Sequence, residues 1–298
     1  MPAMSISVGN DSVVKESATL SPAELRALVA LLDDPDPYVQ QKVAERLRVL
    51  EESMVPVLDQ IRDELSDTDL RHKVTEILHR VTFPSLEVEF AERVALSMQN
   101  MKDLEAAQLM LGRFENPTMR TDLYRRQLDR MAERASQAMH SGCCKAESWR
   151  LFIHHFFDEE FFQGARKNYT NPDNSFVHKV LQRRMGIPIT LSMVILFVAE
   201  RLELPLYGVG MPMHFLIKYE RNNESILIDP FNHGRIVSRD QCAFFLRSNG
   251  IKPTALHFET ASAQSILART LRNLAFSYQR LGDNDRLSET HRLLSVVS

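Results

Sequence analysis

Four side chains in the second half of the chain have the types and order that nucleophilic acyl chemistry uses: the hydroxyls of Thr190 and Ser192, the imidazole of His214 and the carboxylate of Asp229. An imidazole oriented by a carboxylate can take the proton of a hydroxyl or thiol as it attacks a carbonyl, and a helix N-terminus favours the anion that forms. The stretch Arg183-Arg184-Met185-Gly186-Ile187-Pro188-Ile189-Thr190-Leu191-Ser192 opens an apolar helix, His214 falls in a β-rich segment after it, and Asp229 ends the next. Pro188 stands at the helix start, where a nucleophile gains most from the dipole, and it has neither oxygen nor sulfur to offer. At about 100° per residue, Thr190 and Ser192 point about 200° and 40° away from the Pro188 direction, so Ser192 is better aligned but a full turn deeper.

The elements that must position these groups follow from local signals. Asn171-Pro172-Asp173-Asn174-Ser175 reads as a turn capping a helix from Phe176 to Arg184, and Gly186-Ile187-Pro188 interrupts before a helix from Ile189 to Leu202. Leu206 to Tyr219 and Ser225 to Ile228 read as strands flanking the polar turn Glu220-Arg221-Asn222-Asn223, an antiparallel hairpin. If Tyr219 faces Glu224, His214 faces Asp229 on the same side of the sheet, within hydrogen-bond reach. The pair then serves either as base and orienter or as a purely structural hydrogen bond. Pro188, likewise, has a structural reading as a first-turn proline that sacrifices no hydrogen bond.

Other clusters carry weaker chemistry. His154, His155, Asp158 and Glu159 include an i, i+4 pair on one helix face, a possible metal set, but the aromatics around them (Trp149, Phe152, Phe156, Phe157, Phe161, Phe162) favour a packed helix from Ala146 to Phe162. Arg183-Arg184 and Arg166-Lys167 could hold an anion or be solvated, and Arg184 could pair with an acid. Cys143, Cys144 and Cys242 lack zinc-type spacing and read as reduced structural thiols. No cofactor is expected. A net charge of −3 gives no global attraction to nucleic acid. With no charged-then-apolar leader, and a longest apolar run of only Met193 to Ala199, no membrane span and a cytoplasmic location are expected.

The expected fold class is α+β, mainly α. Residues 1–18 read as a polar, Ser-rich disordered tail. Residues 19–83 carry apolar stripes that come round twice, at offsets of 33 residues (Leu25 to Leu58) and 31 (Val39 to Leu70), with Asp-rich turns between helices. This pattern resembles HEAT repeats, the alternative being two plain amphipathic hairpins. Thr82-Phe83-Pro84-Ser85 reads as a break, followed by helices to about residue 141. At the C-terminus, residues 261–298 resemble one tetratricopeptide hairpin through Leu271, Leu274-Ala275, Tyr278, Gly282 and Leu293-Leu294.

From about Leu86 onward the chain resembles the SirB1 family, described as a transglutaminase-like domain followed by tetratricopeptide helices. The resemblance rests on Asn174-Ser175, Val180-Leu181, Gly186-Ile187-Pro188-Ile189-Thr190-Leu191-Ser192, Gly208-Val209-Gly210, His214-Phe215, Ile228-Asp229-Pro230-Phe231-Asn232, Gly234 and Leu271-Arg272-Asn273-Leu274. It implies a domain over 84–260, with a helical part 84–145 and a papain-like core 146–260. Aligned on Gly186 and Glu203-Leu204-Pro205, Pro188 falls where the wider superfamily places its catalytic Cys, and His214 and Asp229 fall on its His and Asp. The sequence departs from the family at Met213 and His233, where glycine is common. The resemblance thus implies a non-catalytic regulator or scaffold that binds a protein or peptide. The alternative is a hydrolase or acyltransferase using Ser192 or Thr190 with His214 and Asp229.

Overall fold

The computed structural model describes residues 20–47, 49–140, 147–222 and 224–297. The tail 1–18 and Cys143 and Cys144 lie outside them. The chain divides into two compact units, the first ending at Val81 and the second beginning at Thr82.

In the first unit, α1 (Pro22–Ala30) begins with a reciprocal cap. The Glu24 amide donates to Ser21 Oγ and the Ser21 amide to the Glu24 carboxylate, with Pro22 at the first helical position. Leu25 and Val29 from α1 pack with Val43 and Leu47 of α2 (Pro37–Leu47), Leu58 and Ile61 of α3 (Val55–Glu64), and Val74 and Leu78 at the start of α4 (Thr68–Leu96). Lys73 clamps the α1 end, donating to Leu32 O at 3.0 Å and Asp33 Oδ1 at 2.9 Å.

The expected break at residues 82–85 is absent: α4 runs through Pro84 to Leu96. Proline forfeits one intrahelical donor, yet Phe83, Leu86 and Phe90, at i, i+3 and i+7, are all buried on one stripe. Burying a large side chain is worth about 1.5–3 kcal/mol each, so the stripe outweighs a lost bond worth about 1 kcal/mol.

The second unit continues with α5 (Met101–Glu115), capped reciprocally by Asn100 and Asp103, and α6 (Thr121–His140). Next come α7 (Ser148–His154), extended by one π turn at His155–Glu159, and the short strand β1 (Gln163–Gly164). The aromatic run behaves as packing, with five rings buried; Phe161 is the exception, exposed and at φ 59°. After α8 (Val177–Arg183), β2 (Met185–Gly186) pairs in parallel with β1, and α9 (Pro188–Arg201) follows. Every residue of α9 from Pro188 to Ala199 is buried, which is why it reads apolar on all faces.

A four-stranded antiparallel sheet in the order β3 (Leu206–Val209), β4 (Leu216–Arg221), β5 (Glu224–Asp229), β6 (Arg235–Val237) packs beside it. α10 (Arg239–Ser248), α11 (Ala263–Leu281) and α12 (Asn284–Ser295) complete the chain. The fold is α+β and mainly helical, as expected. Two details differ. Leu206 to Tyr219 is two strands folded back on each other through residues 210–215, so His214 sits in a loop. The β4–β5 register pairs Arg221 with Glu224 and Tyr219 with Ile226, two residues out from the expected pairing of Tyr219 with Glu224.

Candidate functional site

Asp229 is the last residue of β5, and its carboxylate caps the turn that follows. Oδ1 accepts from the Phe231 amide at 3.0 Å and the Asn232 amide at 3.2 Å, and Oδ2 accepts from Asn232 Nδ2 at 2.7 Å. His214 Nε2 meets Oδ1 at 3.0 Å, which leaves Nδ1 as the nitrogen available to a reacting group. Burial pushes the Asp229 carboxyl up, but the His214 hydrogen bond and charge and the Asn232 donors outweigh it and hold it below the ordinary carboxylate value.

The loop carrying His214 is fixed from α11. Arg269 Nη1 donates to Met211 O and Nη2 to His214 O, both at 2.9 Å, and the guanidinium lies 5.7 Å from the Phe215 ring. Burial lowers the Arg269 pKa, and Tyr169 partly offsets this. Phe231 and Phe245 flank the imidazole at ring distances of 6.4 and 6.3 Å. Arg166 lies over Phe231 at 5.2 Å and donates to Asn232 Oδ1 at 2.7 Å.

Gly164 on β1 packs directly under this turn: an added Cβ would lie 2.7 Å from both the Phe231 ring and the Phe231 carbonyl oxygen. Gly164→Ala is therefore expected to lower stability by about 1–3 kcal/mol through overpacking against backbone, read as a shift in denaturant midpoint.

The hydroxyls are engaged elsewhere. Ser192 Oγ donates to Pro188 O at 2.8 Å within its own helix, and Thr190 Oγ1 is buried with no hydrogen-bond partner. Neither forms a hydrogen bond to His214. Pro188 occupies the first position of α9, after the extended Ile187.

Both departures from the family pattern fall on left-handed backbone: Met213 at φ 63° and His233 at φ 60°. Met213 is 63% exposed, so its side chain contributes little packing to offset the strain. Met213→Gly is expected to leave stability unchanged or raise it by up to about 1 kcal/mol, measurable by urea denaturation.

His154, His155, Asp158 and Glu159 do not converge as a set. His154 and Asp158 approach at 3.6 Å, while the buried His155 turns to Glu159 at 2.9 Å and Glu160 at 3.8 Å. Among the described residues no three His, Cys, Asp or Glu side chains gather as metal ligands. Arg183 pairs with Asp173 at 3.2 Å and Arg184 with Glu160 at 3.0 Å. Cys242 is buried, and burial first and the Asp229 charge second push its thiol up, away from reactivity.

The sequence reading missed Arg269. No local pattern announces it, because its partners lie 55 and 58 residues away.

An apolar helix opened by proline, packed beside an antiparallel sheet whose loop and strand end bring His and Asp together, defines a papain-like α+β core. The transglutaminase-like superfamily matches residues 122–272, half of the chain, and the chain belongs to it. A UPF0162 protein of Xylella fastidiosa strain 9a5c is 29% identical over 65% of this chain and 72% of its own length. A UPF0162 protein of Vibrio cholerae is 30% identical over 57% of this chain and 64% of its own. Human F-box only protein 21 is 31% identical over 46% of this chain, a segment making up 22% of the human protein. No solved structure matches the chain. Among the described residues, no helix is long and apolar enough to cross a membrane.

Proposed function

We propose that this chain is a SirB1-type transglutaminase-like protein that has lost its nucleophile and serves as a protein- or peptide-binding regulator. One observation carries the reading. The helix start that should present a nucleophile to His214 presents Pro188, and of the two hydroxyls that follow, Ser192 Oγ is bonded to the Pro188 carbonyl and Thr190 Oγ1 is buried. With proline at that position, and neither Ser192 nor Thr190 bonded to the imidazole, neither hydroxyl is placed to give it a proton. The His214–Asp229 pair is then a structural hydrogen bond that holds the 230–232 turn. Similarity to a segment filling under a quarter of F-box only protein 21 fits a module that longer chains can carry. The N-terminal hairpins, as HEAT-like units, and the α11–α12 pair, as a single tetratricopeptide-like unit, add surface for partners, in a cytoplasmic setting.

The test is chemical. A fluorophosphonate panel read by intact mass should leave Ser192 and Thr190 unmodified over the neutral pH range. Pro188→Cys should create a thiol that iodoacetamide alkylates, at a rate reduced about tenfold or more when combined with His214→Ala. Cys242 supplies an unreactive internal reference, and peptide mapping separates alkylation at position 188 from any at Cys143 and Cys144. A fluorophosphonate adduct on Ser192 or Thr190 that disappears in His214→Ala would overturn the reading in favour of a hydrolase or acyltransferase.

A further inference from the structure

A groove of about 400 Å³ opens between α4, α5 and α6 in the second unit, away from the His214–Asp229 pair. Ala106 and Met110, both half-buried, contribute apolar surface to it, and four guanidinium groups line it: Arg93, Arg113, Arg120 and Arg125. In a chain of net charge −3, this is a local excess of cation. The carboxylates nearby do not exhaust it. Arg113 is paired with Glu89 at 2.5 Å and Arg120 with Asp122 at 3.0 Å, but Asp122 is shared with Arg126 at 2.7 Å. Arg125 reaches only Glu105, at 3.8 Å, and Glu105 is already gripped by Arg201 at 2.5 and 3.0 Å. Among the described residues, the Arg93 side chain forms no hydrogen bond or ion pair and meets Asp103 only through longer-range attraction.

We propose that this groove binds a small organic anion, a phosphate or carboxylate group attached to a short apolar portion. Guanidinium forks match both oxyanions in bidentate geometry. Arg93 and Arg125 hold free donors for that headgroup, while Ala106 and Met110 receive the apolar part. The volume lies within the ordinary range for small-molecule sites.

Titration calorimetry on the full chain tests this, with phenyl phosphate, benzylsuccinate and inorganic phosphate as probes. Saturable one-to-one binding of phenyl phosphate or benzylsuccinate is expected, several-fold tighter than inorganic phosphate because of the apolar contact. Preference between the first two tells phosphate from carboxylate. The double variant Arg93→Gln with Arg125→Gln should weaken binding by about tenfold or more. Lys102→Gln with Arg130→Gln, which removes the same charge from exposed positions outside the groove, should change it less than about twofold. Arg93→Lys, which keeps charge and loses the fork, should fall between, and it serves if the double variant fails to fold. Absence of saturable binding, equal weakening by the control pair, or inorganic phosphate binding as tightly as phenyl phosphate would overturn the proposal.

Discussion

Arg201→Ala is expected to destabilise the second unit by about 3–5 kcal/mol, seen as a fall in the urea midpoint without a change in slope. Arg201 ends α9, the helix that Pro188 begins. Its guanidinium bridges two other helices, binding Glu105 of α5 through Nη1 and Nη2 at 2.5 and 3.0 Å and Asp129 of α6 through Nε at 2.6 Å. Nη1 also donates to the Phe197 carbonyl at 2.8 Å, four residues back in α9. Burial alone would lower its pKa, but the two carboxylates more than reverse this and raise it. The Glu105 side chain is only 8% exposed, so truncating Arg201 strands a buried carboxylate whose remaining partner, Arg125, stands 3.8 Å away and is largely exposed. The cost is then mainly that of an uncompensated buried charge, and the double variant Arg201→Met with Glu105→Met should recover much of it. Arg201→Lys should recover less, because an ammonium cannot reproduce the bidentate grip on Glu105 while also reaching Asp129.

Much of this arrangement was legible in the sequence wherever the signal is local. Ser21 and Glu24 announce their cap, the uninterrupted apolar run after Pro188 announces a helix buried on all sides, and the aromatic run around Trp149 announces core. The meeting of His214 and Asp229 was foreseen, though through a register two residues out. A shift of two keeps each side chain on its face of the sheet, and diagonal neighbours remain within reach of an imidazole. In the observed pairing Ile217 faces Ile228, and His214 reaches Asp229 from the loop before β4. The break expected at Pro84 failed because tertiary burial of Phe83, Leu86 and Phe90 overrides one missing donor. Arg201 and Arg269 escaped notice because their partners, up to 96 residues away, leave no periodic trace.

Asp229→Ala is expected to cost about 3 kcal/mol at neutral pH and to loosen the 230–232 turn, because one carboxylate serves four donors at once. Its removal leaves the Phe231 and Asn232 amides, the Asn232 side chain and the His214 ring without their acceptor, and a buried unsatisfied donor costs about 1–3 kcal/mol. Some of these groups will find water, which keeps the total below the sum. Asp229→Asn should cost less, since its Oδ1 can still accept from the two amides, whereas its Nδ2 opposes the Asn232 side-chain donor. The effect carries a pH signature of fixed sign. The carboxyl is held below its ordinary value in the fold, so its ionised form is favoured there more than in the unfolded chain. Its contribution is fully present above the unfolded value of about 4 and fades as pH falls through the lower folded value. Urea denaturation of wild type and Asp229→Asn between about pH 3 and pH 5 should show a gap that narrows below about pH 4. A gap that widened on acidification, or stayed flat to the lowest pH, would show that Asp229 does not hold this turn as an ionised acceptor.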